Sequence, residues 1–305
     1  MQYDMEYIAI DLRKNLYYNG TNDMGGINVN IKMSAFADEA SRSIDGQIEA
    51  MKRNGIELLE IRFVGEKNIK DVTNSEAKEI KNRLADHGMR VWSIGSPTGK
   101  IKMEDDFEPH LDSFKHQLEL AQIMGADRYR LFSFYNTDNS EGCFQAVCER
   151  MNRMVEAAKG SGIQLCHENE KGIFGDIAIR CKKLLDAIPS LRAIFDPANF
   201  LQCGQNTLEA WEMLAPYVDY LHIKDCNAEG KVVPPGMGLG ELPAILKKFS
   251  DQGGGVATLE PHLTDFIGLD QLENGEKTKS AFHYATSDEA FDAAASALRK
   301  MITEG

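Results

Sequence analysis

Residues 129–168 read YRLFSFYNTDNSEGCFQAVCERMNRMVEAAKGSGIQLCHE, and the order of patterns in this stretch decides the fold class. It begins and ends with short apolar runs, Tyr129–Phe134 and Gln164–Glu168, which have the length and residue types of buried strands. Between them, apolar residues recur at three- and four-residue spacing from Phe144 to Val155, which predicts a helix with one apolar face. The stretch is therefore predicted to be a strand, a helix and a second strand.

The same unit recurs along the chain from residue 31 onward. The predicted strands are Ile31–Phe36, Leu58–Val64, Arg90–Ile94, Tyr129–Phe134, Gln164–Glu168, Arg192–Asp196, Val218–Lys224 and Val256–Glu260. Capping signals such as Thr73 with Glu76 mark helix starts between them. Strands that alternate with helices form a parallel sheet. Eight such units predict an α/β fold, a closed (β/α)8 TIM barrel.

Residues 31–305 are predicted to form a single TIM-barrel domain, because no linker rich in Pro, Gly or Ser divides them. Residues 1–30 alternate short apolar groups with Asn, Gly and Asp, and are predicted to be an N-terminal extension. A final helix is predicted around Ser287–Thr303. The segment Pro261–Thr286 before it is long for a simple connection, so we expect it to cover a functional site.

Composition narrows the classes of partner. The chain has 305 residues, with 34 Lys and Arg against 47 Asp and Glu and a formal net charge of −13. This charge argues against non-specific electrostatic binding to nucleic acid or to an anionic membrane. No stretch approaches the ~20 apolar residues of a membrane span, and the N-terminus lacks the pattern of a secretory signal. We therefore expect a cytoplasmic protein without nucleic-acid or membrane partners, whose six cysteines, lacking a CxxC pair, are reduced.

Polar side chains stand at or near the C-terminal ends of the last four predicted strands. They are Glu168, Asp196, His222 and Glu260, separated by 28, 26 and 38 residues, about one strand–helix unit each. Their neighbours along each strand are mainly apolar, and successive strand residues face opposite sides of a sheet. The apolar neighbours would face the helices, so the four polar side chains are predicted to point into the barrel mouth, where such barrels hold their active sites.

Three carboxylates and one imidazole form an oxygen-rich ligand set. Such a set suits one divalent metal ion, Mn, Mg or Co, and can also hold Zn. A divalent cation would also relieve the repulsion between three nearby carboxylates. The alternative, four unrelated surface groups, fits poorly with matching positions in four consecutive strands.

The chain from about residue 31 to 262 resembles the sugar phosphate isomerase/epimerase family, also described as xylose-isomerase-like barrels. The resemblance rests on Glu168 in HEN, Asp196 in FDPAN, His222 in HIKD followed by PPGMGLG at 234–240, and Glu260 in LEPH. It implies that these four residues bind one divalent metal. It also implies that Glu168 and Glu260 are catalytic and move protons.

The sequence also offers candidate substrate-binding residues. They are Arg62, Lys100, Arg130, Asn199, Lys224 and His262. Asn199 departs from the family pattern, since many members have a histidine at this position. For Arg62, which shares the inward face of its strand with Glu60, an internal ion pair is as consistent with the pattern as substrate contact. His167 is expected to be a hydrogen-bonded residue at the helix interface, because its neighbour Glu168 points the opposite way.

Two glycine-containing motifs do not indicate a nucleotide site. GSPTGK at 95–100 lacks the spacing of a P-loop. GMGLG at 236–240 follows two prolines instead of a strand, so it is not a dinucleotide fingerprint. We expect it to form a tight loop, with phosphate binding by its amides as the alternative.

The leading hypothesis is a divalent-metal-dependent isomerase or epimerase of a sugar or sugar phosphate that works through an enediolate intermediate. One glutamate would remove a carbon-bound proton and the other would return one, giving an epimer or an aldose–ketose pair. The alternatives are a metal-dependent dehydratase or lyase of a keto sugar or keto-cyclitol, and a catalytically silent sugar-binding barrel. The expected partner is a small-molecule sugar, and a homo-oligomer is left open.

Overall fold

Eight parallel strands close into a barrel in which each strand pairs with its neighbours in sequence. The computed structural model describes residues 30–264 and 280–304. In chain order the strands are β1 (Ile31–Ala35), β2 (Leu58–Ile61), β3 (Arg90–Ile94), β4 (Arg128–Leu131), β5 (Gln164–Glu168), β6 (Arg192–Phe195), β7 (Val218–Ile223) and β8 (Gly255–Leu259). Strand β1 closes the ring by pairing with both β8 and β2. The predicted (β/α)8 barrel is confirmed.

Nine α-helices connect and surround these strands within the described ranges. They are α1 (Ile44–Arg53), α2 (Asn74–Ala85), α3 (Phe107–Met124), α4 (Glu141–Ala158), α5 (Ala178–Ala187), α6 (Pro197–Gln202), α7 (Thr207–Leu214), α8 (Leu242–Asp251) and α9 (Ser287–Glu304). The last agrees with the helix predicted around Ser287–Thr303. Capping side chains mark the start of several helices. Thr73 and Glu76 form a reciprocal capping box at α2, and Asn206 caps α7.

Two predicted strands end earlier than their apolar runs. Strand β2 stops at Ile61 because the chain then makes a small antiparallel ribbon, in which Phe63–Val64 pairs with Lys67–Asn68. Strand β4 stops at Leu131, and Phe134 adopts a left-handed backbone with φ 67°. Phe63, Phe132 and Phe134, which lie beyond the ends of these two strands, are buried, so hydrophobicity alone did not mark the strand end.

The core has two parts. The larger part lies where apolar residues of the helices meet the outer face of the barrel strands. A smaller cluster consists of Trp92, Cys166, Ile194, Tyr220 and Val256, all buried. Cys166, Ile194 and Tyr220 each precede a proposed ligand by two residues on its strand, so they share its face and support it from below.

The predictions about the cysteines, membrane-spanning segments, the N-terminal extension and the cover can be compared only with the residues that the structure describes. All six cysteines are free thiols, as predicted. No helix in residues 30–264 or 280–304 has the length and apolar character needed to cross a bilayer. Residues 1–29 of the predicted extension and residues 265–279 of the predicted cover lie outside the described residues, so the extension and the cover remain predictions.

Candidate metal centre

The four proposed ligands lie together at the C-terminal end of the barrel. Glu168 ends β5, Asp196 follows β6, His222 lies in β7 and Glu260 follows β8. Nδ1 of His222 is 2.9 Å from Oε1 of Glu168 and 3.1 Å from Oε2 of Glu260. One ligand atom from each of the four lies within 4.8 Å of the others, and all four residues are buried. This is the spacing of a site that could hold one cation.

Asp196 is oriented by the start of the following helix. Its Oδ1 accepts the Asn199 amide at 2.9 Å and caps α6, with Pro197 at the helix start. The side chain of Asn169 makes two 2.9 Å hydrogen bonds with the main chain of Asp196. Oδ2 therefore faces the centre, 3.1 Å from Nζ of Lys224.

Charge around His222 is strongly negative. Burial alone would lower the pKa of His222, but Glu168, Glu60 and Glu260 outweigh burial and hold that pKa well above its usual value. Burial would likewise raise the pKa of Glu168 and Glu260, but His222 together with nearby cations, Arg130 for Glu168 and Lys224 for Glu260, outweighs burial and lowers both pKa values. A metal needs the unprotonated Nδ1, so metal binding here would release a proton.

Two carboxylate oxygens show that the cluster suits a cation. Among the described residues, neither Oδ2 of Asp196 nor Oε2 of Glu260 has a hydrogen-bond partner. Each is nevertheless 3.1 Å from a cationic nitrogen, on Lys224 and His222 respectively. Buried charged oxygens without hydrogen bonds are costly unless a positive charge compensates them. The donor set therefore fits a divalent cation of the kinds predicted.

Arg130 and Lys100, both predicted to bind substrate, lie buried beside the centre. Nη1 of Arg130 is 3.1 Å from Oε2 of Glu168, while its Nη2 and Nε donate to two main-chain carbonyls after β3. Nζ of Lys100 is 2.7 Å from Oε2 of Glu170 and packs over the ring of Phe132. Both cations therefore already contact a carboxylate.

Arg62 forms a buried ion-pair network, but its partners are not Glu60, the inward-facing acid beside it in the sequence. Its guanidinium is 2.9 Å from Asp38, 3.2 Å from Glu39 and 2.9 Å from Glu260. Glu60, which shares its strand, instead binds other partners. The structure thus favours the ion-pair interpretation of Arg62, and through Glu260 it ties this network to the centre.

Asn199 and His262 also reach the site. Nδ2 of Asn199 donates to the Asn169 carbonyl at 2.9 Å and lies 3.5 Å from Oε1 of Glu168. His262 has a left-handed backbone with φ 48°, which turns its Nε2 to 3.4 Å from Oε1 of Glu260. Burial lowers the pKa of His262 to about 4, so the ring is neutral at physiological pH.

A second group of possible ligands adjoins the first. Glu39, Glu260 and His262 also bring ligand atoms within 4.8 Å of one another. The guanidinium of Arg62 contacts both carboxylates of this group, so its positive charge already compensates them. Burial raises the pKa of Glu39 to about 8, which further lowers the negative charge there. The sequence analysis did not foresee this group, because Glu39 lies after β1 in a 3₁₀ helix with no strand pattern.

The glycine loop after β7 wraps around a buried carboxylate. Asp225 accepts hydrogen bonds of 2.9 Å from the amides of Gly236, Gly238 and Gly240. A Cβ at Gly238 would lie 2.3 Å from Oδ1 of Asp225, so a side chain there would clash. The interpretation of GMGLG as a tight loop is supported, and the amides of this loop donate hydrogen bonds to Asp225. The HIKD motif could have pointed to Asp225 as a further residue of this region, since Asp225 directly follows Lys224.

His167 takes the position that was expected. Its ring is buried and its Nε2 lies 3.0 Å from Oγ of Ser133. It faces away from the centre, unlike the adjacent Glu168.

Residues 48–300 match the family model described as a xylose isomerase-like TIM barrel. The chain belongs to this family. A search of curated proteins finds no match. The family resemblance drawn from the HEN, FDPAN, HIKD and LEPH motifs is thereby confirmed, and each motif places one side chain of the candidate centre in this family barrel.

Solved structures agree on the fold. The probable 3-DHS dehydratase AsbF from Bacillus anthracis is 17% identical, with a TM-score of 0.69 over 88% of this chain and 98% of that one. D-psicose 3-epimerase from Clostridium cellulolyticum H10, solved with D-tagatose, is 15% identical, with a TM-score of 0.70 over 88% and 98%. The IOLI protein, solved with a zinc atom, is 14% identical, with a TM-score of 0.67 over 90% and 98%. At these identities the likeness concerns the fold alone.

Proposed function

We propose that this family member is a divalent-metal-dependent isomerase or epimerase of a keto sugar that works through an enediolate intermediate. The observation that carries the proposal is the convergence of Glu168, Asp196, His222 and Glu260 on one point, where two carboxylate oxygens have no hydrogen-bond partner within residues 30–264 and 280–304. When bound there, a divalent cation would supply Lewis-acid stabilisation of negative charge on substrate oxygen.

Proton transfer is assigned to Glu168 and Glu260. They approach Nδ1 of His222 from different strands, β5 and β8, at 2.9 Å and 3.1 Å. Both carboxyl groups have a lowered pKa and are therefore available as bases. One would take the proton from the carbon beside the carbonyl, and the other, after taking up a proton from solvent, would deliver it to the same or the neighbouring carbon.

The buried cations have a role in the same chemistry. Arg130 lies 3.1 Å from Oε2 of Glu168 and 3.7 Å from Oε1 of Glu260, so it can orient both bases. Nζ of Lys224 is 3.1 Å from Asp196. Burial would lower the pKa of Lys224, but the charges of nearby carboxylates, Asp196 first, outweigh burial and raise it, so the amine stays protonated. A fixed positive charge at this point would stabilise oxyanion character in the substrate.

The balance of charge favours an uncharged substrate over a phosphorylated one. Among the described residues around the centre, seven carboxyl groups face four basic side chains. The acids are Asp38, Glu39, Glu60, Glu168, Glu170, Asp196 and Glu260; the bases are Arg62, Lys100, Arg130 and Lys224. A divalent cation would offset most of this excess of three carboxyl groups. A phosphate would then bring charge that these side chains do not compensate. The structural neighbour solved with D-tagatose, an uncharged ketose, is consistent with this choice.

The test is hydrogen exchange at carbon. Metal-loaded protein is incubated with a panel of ketoses in deuterated water, and deuterium at the carbon beside the carbonyl is followed by NMR and mass spectrometry. We expect incorporation with at least one ketose, together with an epimer or aldose product. Incorporation followed by loss of water would instead identify the dehydratase alternative, and tight binding without any exchange would identify a silent sugar-binding barrel.

Two variants separate proton transfer from metal binding. Glu168→Gln and Glu260→Gln should each suppress exchange, and their metal content must be measured in the same samples. A variant that keeps its metal and loses exchange supports the base role. Full exchange in both variants would overturn the assignment of these residues.

A further inference from the structure

Glu60 lies at the floor of the centre and contacts four donors from three other strands, β3, β7 and β8. Oε1 lies 3.2 Å from Oγ of Ser93 and 2.9 Å from the Tyr220 hydroxyl. Oε2 lies 2.9 Å from Oγ1 of Thr258 and 3.2 Å from Nε2 of His222. Glu60 and the four partner residues are all buried. A carboxylate accepts hydrogen bonds through both oxygens, and each oxygen of Glu60 lies within 3.2 Å of two of these donors.

The contact with His222 is the one with a functional consequence. A neutral imidazole carries its proton on only one nitrogen, and the partner of each nitrogen decides which one. A carboxylate at Nε2 holds the proton there and leaves the Nδ1 lone pair directed at the point between Glu168 and Glu260. Ring position is constrained as well, because Phe36 packs edge-on against His222 at 5.2 Å.

We propose that Glu60 is a positioning residue that fixes His222 in the tautomer with Nε2 protonated, so that Nδ1 can bind the metal. This inference rests on the proposed metal centre. Glu60 would contact neither substrate nor metal, and it would act only through the imidazole. Partners of this kind orient metal-binding histidines, and their loss commonly weakens metal affinity by about 10- to 100-fold.

The strand geometry explains why Glu60 can reach this position. The β2–β3 register shifts between Leu59 and Glu60, and Glu60 then stands opposite Ser93. On the far side of the barrel, Thr258 of β8 stands opposite His222 of β7. The two pairs face each other across the interior, which lets one carboxylate bridge the barrel below the ligands.

The test compares Glu60→Gln with Tyr220→Phe. Glutamine keeps the shape and retains one acceptor oxygen, but it lacks the charge, and its amide group would favour protonation of Nδ1 when it faces Nε2. Phenylalanine removes one hydrogen bond to Glu60 and leaves the His222 contact intact. Affinity for Mn²⁺ is measured by competition with a chromophoric chelator, and folding is checked by circular dichroism and urea unfolding. We expect about 10- to 100-fold weaker binding in Glu60→Gln and less than about 3-fold change in Tyr220→Phe.

A spectroscopic readout separates positioning from a purely structural role. In Zn²⁺-loaded wild-type protein with ¹⁵N-labelled histidine, we expect the His222 ring to carry its proton on Nε2, assigned by loss of the signal in His222→Gln. A proton on Nδ1 would overturn the inference, as would equal affinity in wild type and a folded Glu60→Gln variant, or equal losses in both variants. Failure of wild-type protein to bind any divalent metal would instead overturn the proposed function.

Discussion

The two carboxylate oxygens of Asp196 have different partners. One accepts a hydrogen bond from the main chain of Asn199 at the start of the following helix, and the other faces the candidate metal centre. Oδ1 accepts the Asn199 amide at 2.9 Å as the cap of α6, while Oδ2 faces the centre. One residue thus joins a local folding signal to the proposed chemistry, which makes the two roles separable by substitution.

Asp196→Asn should remove the metal ligand and keep the helix cap, because asparagine caps helices about as well as aspartate. We expect metal occupancy to fall sharply, while any change in metal-free stability should come from the lost charge 3.1 Å from Nζ of Lys224 and not from the helix cap. Asp196→Ala should lose both functions and cost about 1 kcal/mol more. Elemental analysis and urea unfolding of the metal-free proteins check this. Equal stability of the two variants would contradict the capping role.

Replacement of Arg62 by methionine should destabilise the protein by about 3 kcal/mol, because it leaves Asp38, Glu39 and Glu260 buried without their shared cation. The matched control is Arg153→Met, which breaks an exposed pair with Glu108 and should destabilise the protein far less. Urea unfolding measures both. Similar losses in the two variants would show that the buried network does not contribute as proposed.

The same Arg62→Met variant should gain affinity for a second divalent cation. Glu39, Glu260 and His262 keep ligand atoms within 4.8 Å of one another, and the competing guanidinium is gone. We expect about one metal per wild-type chain and a second, weaker equivalent in the variant, measured by calorimetric titration with Mn²⁺. A second equivalent in wild type would show that Arg62 does not block the adjacent group.

Gly238→Ala should destabilise the loop around Asp225. The new Cβ would lie 2.3 Å from Oδ1 of that carboxylate and 2.4 Å from the Cys226 carbonyl oxygen, which costs about 1–3 kcal/mol in a packed site. Gly142→Ala, in α4 with nothing within 4 Å of its Cβ, is the control and should stabilise by about 0.5 kcal/mol. Thermal unfolding of both variants compares the two. Equal melting temperatures would argue against the clash.

His110 should make stability depend on pH between about 6.5 and 4. Its Nε2 accepts the Gly99 amide at 2.8 Å, and burial lowers its pKa to about 4 from the ordinary 6.5. The unfolded state therefore takes up the proton first, so the contribution is complete above pH 6.5 and is lost as pH falls towards 4. Between pH 7 and pH 5, wild type should lose about 2 kcal/mol more than His110→Gln. Parallel losses in urea unfolding would exclude this residue as the cause.

A ketose that shows exchange should be preferred over its own phosphate monoester by at least about 10-fold in kcat/KM, because the phosphate charge would be poorly compensated. Glu170→Gln removes the carboxylate 2.7 Å from Nζ of Lys100 and should narrow this preference. Steady-state kinetics with both compounds measure the ratio. Preference for the ester in wild type would overturn the choice of an uncharged substrate.

Much of this protein follows from local sequence patterns. Alternation of apolar runs and helical periods predicted the barrel, because each strand and helix must bury its own apolar face regardless of distant partners. Glu168, Asp196, His222 and Glu260 were predictable as a group, since parallel strands of a barrel bring matching ends to one mouth. Capping residues likewise act within one turn of the chain, so the N-cap roles of Thr73 and Asn206 can be predicted from the local sequence.

Only the tertiary structure decided how the buried charges pair. Arg62 and Glu260 are 198 residues apart, and Glu60 and His222 are 162 apart, so no spacing rule connects them. Their contacts depend on how far the strands are staggered when the barrel closes, including the register shift at Glu60. Strand alternation tells which side chains point inward, but a shift of one residue changes which of them meet. That geometry made Arg62 the cation beside Glu39 and placed Glu60 against His222.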